Sequence, residues 1–170
     1  VIMTMALAKI GAVSVPINFM EKPEQIALIL NDAKAVGILT GRDFLGGVLA
    51  ASNKIPSVKH IYSKDGRTQD AKDFKNLEKA PAKKIDVPLD EDDLMMLLYT
   101  SGTTGVPKGV MLTHKNFLTN VEQCLSVIKV FDNDVFICLL PMFHSFSWTT
   151  CVLIPLKTGA PSIIMESLLP

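Results

Sequence analysis

Length, composition and charge already restrict what this chain can be. Its 170 residues suit a single domain, and 48% of them are hydrophobic, which is high for a free-standing domain of this size. Because 17 basic residues balance 17 acidic ones, no basic surface points to a nucleic acid, and that class of partner is excluded.

The cysteines and the longest apolar stretch exclude two further classes. Cys124, Cys138 and Cys151 form no C-x-x-C pair and lie in apolar segments, so we expect inert core thiols in a cytoplasmic protein and no metal site. Residues 138–156 have the length of a membrane span. Polar side chains and two prolines interrupt them, so we reject that interpretation.

The first part of the chain alternates between helical and strand-like patterns. Short apolar strands separated by helices predict a parallel sheet covered by helices, an α/β fold. The predicted elements are helices at residues 3–11, from Pro23 onward and at 43–54, and strands at 13–17, 35–39 and 58–62.

Residues 63–93 differ in character because Lys, Asp and Glu dominate them. Either they are an insertion that binds a partner, or they are a solvated surface excursion with one short helix near residues 71–79. Mixed charge favours the surface excursion. Beyond it we predict strands at 94–100, 109–113, 135–140 and 161–165, and helices at 114–129, capped by Thr113, and at 142–156.

The stretch Tyr99–Gly109, YTSGTTGVPKG, carries most of the chemical information. It holds three glycines, four Ser or Thr hydroxyls and one lysine between two apolar runs. Glycines let a ligand approach the backbone, exposed N–H groups bind anions, and hydroxyls and an ammonium donate to oxygens. The pattern predicts a hairpin, with antiparallel strands, whose loop binds polyphosphate.

Two better-known phosphate motifs do not fit this stretch. In a P-loop, counting from Gly102 would require a glycine where Pro107 stands, and a hydroxyl where Gly109 follows Lys108. The dinucleotide pattern G-x-G-x-x-G is also absent. A plain flexible connection is the remaining alternative, and the Pro-Lys-Gly ending and the hydroxyl density disfavour it.

Residues 97–116, LLYTSGTTGVPKGVMLTHKN, resemble the signature of the adenylate-forming superfamily. The run FHSF at residues 143–146, with the Thr pair at 149–150 and the L-x-x-G that ends at Gly159, is most similar to its fatty acyl-CoA and acyl-ACP synthetases. Residues 140–146, LPMFHSF, resemble the family's Pro-x-Phe-His segment, and residues 8–18 resemble the passage that precedes the signature. The resemblance implies that residues 1–170 are part of the large N-terminal AMP-binding domain, without the C-terminal domain. Such an internal fragment is expected to be inactive and to self-associate through exposed apolar surface.

The resemblance also implies a reaction and its participants. ATP activates a carboxylate, expected to be a fatty acid, as an acyl-adenylate, and CoA or acyl carrier protein then accepts the acyl group. Mg²⁺ is the expected counterion, and its main protein ligand is expected in a family segment that this sequence does not contain. The resemblance also allows a peripheral membrane contact of the longer protein to which these residues belong. The residues that match the phosphate-binding part are Thr100, Ser101, Gly102, Thr103, Thr104, Gly105 and Lys108.

Two residues downstream matter for the acyl side of the reaction. His144 matches the family histidine near the acyl carboxylate and adenylate, where we expect it to orient the substrate. Ser147 stands where the family usually has glycine, so we expect added bulk and a hydroxyl near the acyl path. His60 and His114 lack such support and are interpreted as surface or structural residues.

Two alternatives stay open beside the fatty acid ligase. One is a non-catalytic module that binds nucleotide or phosphate alone, and the other is an enzyme that adenylates aryl or amino acids. Carboxylate-dependent pyrophosphate exchange separates the first alternative from a ligase.

Overall fold

The computed structural model describes residues 1–82, 84–100 and 107–165. The chain divides into two compact units. The first unit comprises Val1–Pro16, Asp86–Leu98 and Val110–Pro170, and the second comprises Ile17–Ile85 and Tyr99–Gly109. Each unit is described by itself.

The second unit is built on a parallel sheet with the order β1-β2-β3. Strand β1 (Gly37–Thr40) pairs with β2 (His60–Ser63), which pairs with β3 (Lys72–Asp73), all in parallel. Parallel neighbours need a crossover connection, and between β1 and β2 that connection is a helix. The predicted parallel sheet is therefore confirmed in this unit.

Helices cover this sheet and supply its core. Helix α2 (Pro23–Asp32) begins with proline, whose missing N–H costs nothing at that position. A short 3₁₀ turn (Arg42–Phe44) leads into α3 (Leu45–Ser52), and α4 (Lys75–Glu78) is the short helix expected in the charged excursion. The buried residues shared by α2, α3 and the turn after α3 are Ile26, Leu30, Ala51 and Ile55.

The first unit packs around strand β4 (Leu94–Thr100), of which residues 94–98 belong to it. Met96 is completely buried, and Met95 and Leu98 are nearly so. Helix α1 (Ile2–Lys9) contributes Ala8 to the same core, to which Phe117, Trp148 and Val152 also belong. The strand predicted at residues 13–17 is reduced to one parallel bridge between Ser14 and Met96.

Strand β5 (Lys108–Thr113) is the hydrogen-bonded neighbour of β4, as the predicted hairpin requires. Helix α5 (His114–Val127) follows it without a break. The Thr113 hydroxyl accepts from the Asn116 backbone N–H at 3.2 Å, and the Asn116 amide oxygen accepts from the Thr113 N–H at 2.9 Å. This reciprocal arrangement confirms Thr113 as the N-cap of α5 and satisfies two backbone donors.

The last part of the first unit is a parallel pair of short strands and a broken helix. Strand β6 (Phe136–Cys138) pairs with β7 (Ser162–Ile164). Between them lie α6 (Ser145–Ser147), a π-helical segment (Trp148–Leu153) and α7 (Ile154–Thr158). Helix α7 ends at Gly159, which takes the left-handed conformation (φ 77°) that a glycine adopts without a Cβ penalty.

Large apolar side chains remain exposed on this strand pair and beside it. The exposed fraction is 56% for Ile137, 57% for Ile164 and 64% for Phe146. Scattered apolar side chains are normal, but a run on two paired strands marks a surface that another element can cover. Self-association through this surface stays a prediction. Of the helices in the described part of the chain, none is both long and apolar enough to cross a bilayer.

Candidate functional site

Strand β4 leads from the core to the candidate phosphate-binding loop. Met95, Met96 and Leu98 are buried, Tyr99 is half-buried, and Thr100 is exposed. The run of apolar residues explains this gradient, because Met and Leu are removed from water while the first Thr of the loop stays in it. The Thr100 hydroxyl is therefore accessible to a ligand.

Lys108 opens strand β5 on the other side of the loop. Its side chain is exposed, and it makes no ion pair with any residue of the described ranges. Lys115 gives the contrast, since its ammonium lies 2.6 Å from a Glu91 carboxylate oxygen. Exposure and the absence of a carboxylate partner in that part of the chain leave the Lys108 charge available to an anion.

The remaining predicted phosphate contacts lie outside the described residues. They are Ser101, Gly102, Thr103, Thr104 and Gly105. Their roles stay predictions from the signature. What the structure does bring together are the two strands that end in Thr100 and begin with Lys108, because β4 and β5 are hydrogen-bonded neighbours.

A contact that the sequence did not reveal lies next to these two residues. The Tyr99 phenol donates a hydrogen bond of 2.6 Å to the Asp32 carboxylate, at the last residue of α2. Burial, and then the hydrogen bond and negative charge of Asp32, raise the pKa of Tyr99 well above its usual value. Tyr99 begins the stretch YTSGTTGVPKG, but nothing in the sequence identifies a partner 67 residues away.

Gly109 is part of the same arrangement. A Cβ added there would lie 3.0 Å from Cζ of Tyr99 and 3.2 Å from its hydroxyl oxygen. At such distances the ring or the strand must shift by a few tenths of an ångström, so glycine is the residue that leaves Tyr99 in its place. The last glycine of YTSGTTGVPKG thus has a packing reason.

His144 is placed in the first unit, and its side chain is exposed. Its N–H donates to the Pro141 carbonyl at 3.1 Å, and its own carbonyl accepts from the Ser147 N–H at 3.1 Å. The imidazole lies against the Phe143 ring, with centroids 4.6 Å apart. The backbone is therefore held by a turn while the ring stays accessible. Thr100 and Lys108 belong to the second unit.

Ser147 corrects an expectation. Its exposed fraction is 0%, and its hydroxyl donates to the Leu140 carbonyl at 3.1 Å. The side chain is thus engaged inside the first unit and presents neither bulk nor a hydroxyl to a ligand. The hydroxyl shares the Leu140 carbonyl with the Cys138 thiol, so this buried polar side chain has its hydrogen-bond partner inside the unit.

The cysteines and the other histidines are only partly as expected. Cys138 is buried, but Cys124 and Cys151 are half-buried, so the expectation of three core thiols is wrong for two of them. Burial first, and then the Cys151 thiol, raise the pKa of Cys138 to about 11.

His60 is exposed, and His114 is half-buried with an Nε2 that has no partner among the described residues.

A magnesium site cannot be assembled from the described residues. Within residues 1–82, 84–100 and 107–165, no three His, Cys, Asp or Glu side chains lie where they could hold a metal ion. We therefore assign no residue of these ranges to Mg²⁺ and derive no chemical step through it.

Comparison with known proteins gives a consistent result. The family model described as AMP-binding enzyme matches residues 1–169. The 4-coumarate:CoA ligase 1 of Petunia hybrida is 32% identical over 169 residues, which are 95% of this chain and 30% of that protein. The chain thus spans about a third of the length of the curated relatives it matches.

Solved structures agree on the fold. An anthranilate CoA ligase in complex with anthranoyl-AMP superposes with a TM-score of 0.88 at 25% identity, covering 95% of this chain and 32% of that one. A fatty acyl CoA synthetase of Mycobacterium tuberculosis superposes with a TM-score of 0.82 at 28% identity. The match covers 97% of this chain and 32% of that one. These similarities confirm the predicted α/β fold of an N-terminal domain of adenylate-forming enzymes.

Proposed function

Because this chain belongs to the AMP-binding enzyme family, we propose that it forms the phosphate-binding part of a longer, ATP-dependent acid–CoA ligase. The observation that carries the proposal is the pair of exposed polar side chains, Thr100 and Lys108, at the ends of two neighbouring strands that flank the signature. We further place the protein in the cytoplasm, on the basis of its sparse, unpaired cysteines.

The proposed reaction has two steps. A carboxylate oxygen attacks the α-phosphorus of ATP, the bond from that phosphorus to the β-phosphate oxygen breaks, and pyrophosphate leaves an acyl-adenylate. The thiol of CoA, or of an acyl carrier protein, then loses its proton and attacks the acyl carbonyl, and AMP leaves. Both reactants of the first step are anions, so charge neutralisation and alignment are the main tasks of the protein.

Residues of this chain serve the first step. The Lys108 ammonium offsets the charge that develops on the leaving pyrophosphate, and the loop before it binds the β- and γ-phosphates. The loop residues assigned to this contact are Thr100, Ser101, Gly102, Thr103, Thr104 and Gly105. Mg²⁺ would supply further positive charge when bound with the triphosphate, and none of the described residues is assigned to hold it.

His144 is assigned to the acyl side. Its exposed imidazole, held by a backbone turn, has the accessibility that contact with the substrate carboxylate requires. Because the backbone at both sides of it is hydrogen-bonded, a role in orienting the substrate fits better than one that needs large movement.

We propose a fatty acid as the carboxylate and an aryl acid as the second candidate. The run FHSF at residues 143–146, with the Thr pair at 149–150 and the L-x-x-G that ends at Gly159, supports the first. Similarity to a protein named as a fatty acyl CoA synthetase also supports it. Similarity to proteins named as 4-coumarate and anthranilate CoA ligases supports the second.

Exchange of labelled pyrophosphate into ATP by the full-length protein tests the proposal. We expect exchange that depends on an added acid, and a panel of saturated fatty acids, 4-coumarate and anthranilate identifies the class. ATP binding without exchange for any acid of the panel would instead indicate a non-catalytic nucleotide-binding module and overturn the proposal.

A further inference from the structure

We propose that Tyr99, Asp32 and Gly109 form a positioning device that holds Thr100 and Lys108 in place for the adenylation step. This inference rests on the proposed function for its catalytic meaning. Its structural content stands on three contacts within the second unit and concerns the two strand ends, not the residues between them.

The first contact is the hydrogen bond from the Tyr99 phenol to Asp32, at 2.6 Å. Such a short bond between a hydroxyl and a carboxylate is of the strong, charge-assisted kind. The raised pKa of Tyr99 means that the phenol keeps its proton at neutral pH and remains the donor. Within the second unit, Tyr99 is thereby bound to the end of α2, immediately before Thr100.

The second contact is the packing that fixes Asp32. Helix α2 buries Ile26, Ile29 and Leu30, and two of these belong to the core cluster of the second unit. A helix whose apolar face is buried in a close-packed core moves little. The buried face of α2 therefore holds the backbone that carries Asp32, whose carboxylate accepts the hydrogen bond from Tyr99.

The third contact is that of the Tyr99 ring with Gly109, where a Cβ would lie 3.0 Å from the ring. Tyr99 directly precedes Thr100, and Gly109 directly follows Lys108. One aromatic ring therefore links the residue before the loop to the residue after it, and through Asp32 it links both to α2.

The exposure of Asp32 and Tyr99 indicates that their hydrogen bond contributes more to the position of Thr100 and Lys108 than to the free energy of unfolding. Asp32 is exposed and Tyr99 is half-buried, so water can replace the lost partner when the hydrogen bond is removed, and stability changes little. In-line attack on a phosphorus atom, in contrast, is sensitive to small displacements of the groups that hold the phosphates. We therefore expect a kinetic effect at nearly unchanged stability.

The main experiment is a double-mutant cycle in the full-length protein with Tyr99→Phe and Asp32→Ala. Each change is expected to lower the rate of acid-dependent pyrophosphate exchange by about tenfold, and the double variant by no more than either single one. Thioester formation from preformed acyl-adenylate should be unchanged, as should the melting temperature. Additive losses, or equal losses in both half-reactions, overturn the inference.

Gly109 provides a test with its own control. Gly109→Ala should slow adenylation strongly while Tyr99 is present, because the added methyl group collides with the ring. In a Tyr99→Ala background the same change should add no further loss, since the obstacle is gone. If Gly109→Ala is harmless with Tyr99 intact, the proposed contact does not position the strands.

A measurement without ligand separates this inference from the proposed function. Trypsin cleaves after Lys108, and the rate should rise severalfold in Tyr99→Phe and Asp32→Ala when the strand ends are released. Cleavage after Lys157, in the last turn of α7, serves as the internal reference. Unchanged cleavage at Lys108 overturns the positioning role, whereas absent exchange in the unmutated protein overturns only the proposed reaction.

Discussion

The Ser147 hydroxyl donates to the Leu140 carbonyl, with 3.1 Å between the two oxygens, and thereby joins the start of the broken helix to the strand region before it. The same carbonyl accepts a second, weaker contact from the Cys138 thiol at 3.4 Å. Ser147 is thus a structural residue of the first unit in a segment that resembles part of a substrate site.

Replacing Ser147 with alanine is expected to lower the free energy of unfolding by about 1 kcal/mol, the usual net value of one hydrogen bond. The preference among carboxylic acids should not change, because the side chain is buried. Ser145→Ala, at an exposed serine of the same short helix, is the matched control. A changed acid preference in Ser147→Ala would show that the side chain faces the substrate after all.

Replacing Lys108 with alanine should slow adenylation by roughly a hundredfold or more, because a preformed positive charge near the leaving group is lost. Thioester formation from preformed acyl-adenylate, in which no pyrophosphate leaves, should be nearly unaffected. Lys115→Ala is the control, since that exposed lysine already pairs with Glu91. Equal losses in the two half-reactions would rule out the assigned role.

Truncation of Met96 tests the core of the first unit. Met96→Ala should cost about 2–5 kcal/mol of unfolding free energy, because the residue is completely buried and leaves a cavity. Met111→Ala removes the same atoms from a side chain that is 68% exposed, and should change stability by less than about 0.5 kcal/mol. Urea unfolding of both variants gives the comparison, and similar values would contradict the described packing.

The cap of α5 offers a prediction about local stability. Thr113→Ala removes the acceptor for the Asn116 N–H and should cost about 1 kcal/mol. Thr113→Ser keeps the hydroxyl and should retain most of that stability. If urea unfolding shows that serine is as damaging as alanine, the methyl group rather than the cap is what matters at this position.

Alkylation should distinguish the cysteines. The pKa of Cys138 is raised to about 11, so at pH 8 only roughly one molecule in a thousand carries the reactive thiolate. Raising the pH toward 11 should therefore accelerate its reaction with iodoacetamide steeply. Cys124, which is half-buried, should react faster at pH 8. Mass spectrometry of peptides gives both rates, and equal rates at pH 8 would contradict the burial of Cys138.

Much of the fold follows from local sequence signals. Strand β4 coincides with the predicted residues 94–100, Pro23 begins α2, and Thr113 caps α5 as predicted. These positions carry strong local chemistry: a continuous apolar run, a proline, and a hydroxyl that can cap. The signature likewise identified the family from the chain alone.

The failures arise where distant contacts decide the structure. Strand β3 forms inside the charged excursion because β2 offers it a free edge, and no apolar pattern marks it. Residues 13–17 were predicted as a strand, but they have only one bridged residue, Ser14. The contact between Tyr99 and Asp32 depends on the tertiary fold, so no spacing in the sequence predicts it.

The π-helical segment Trp148–Leu153 changes which side chains share a face of this helix. A π turn accommodates one more residue per turn than an α turn, as if one residue had been inserted into the helix. The face on which each later side chain lies is therefore rotated relative to a regular helix continuing from Ser147. Beyond Trp148, the side of the helix on which a residue lies therefore has to be read from the π geometry, since a regular α-helical count continued from Ser147 assigns the wrong face.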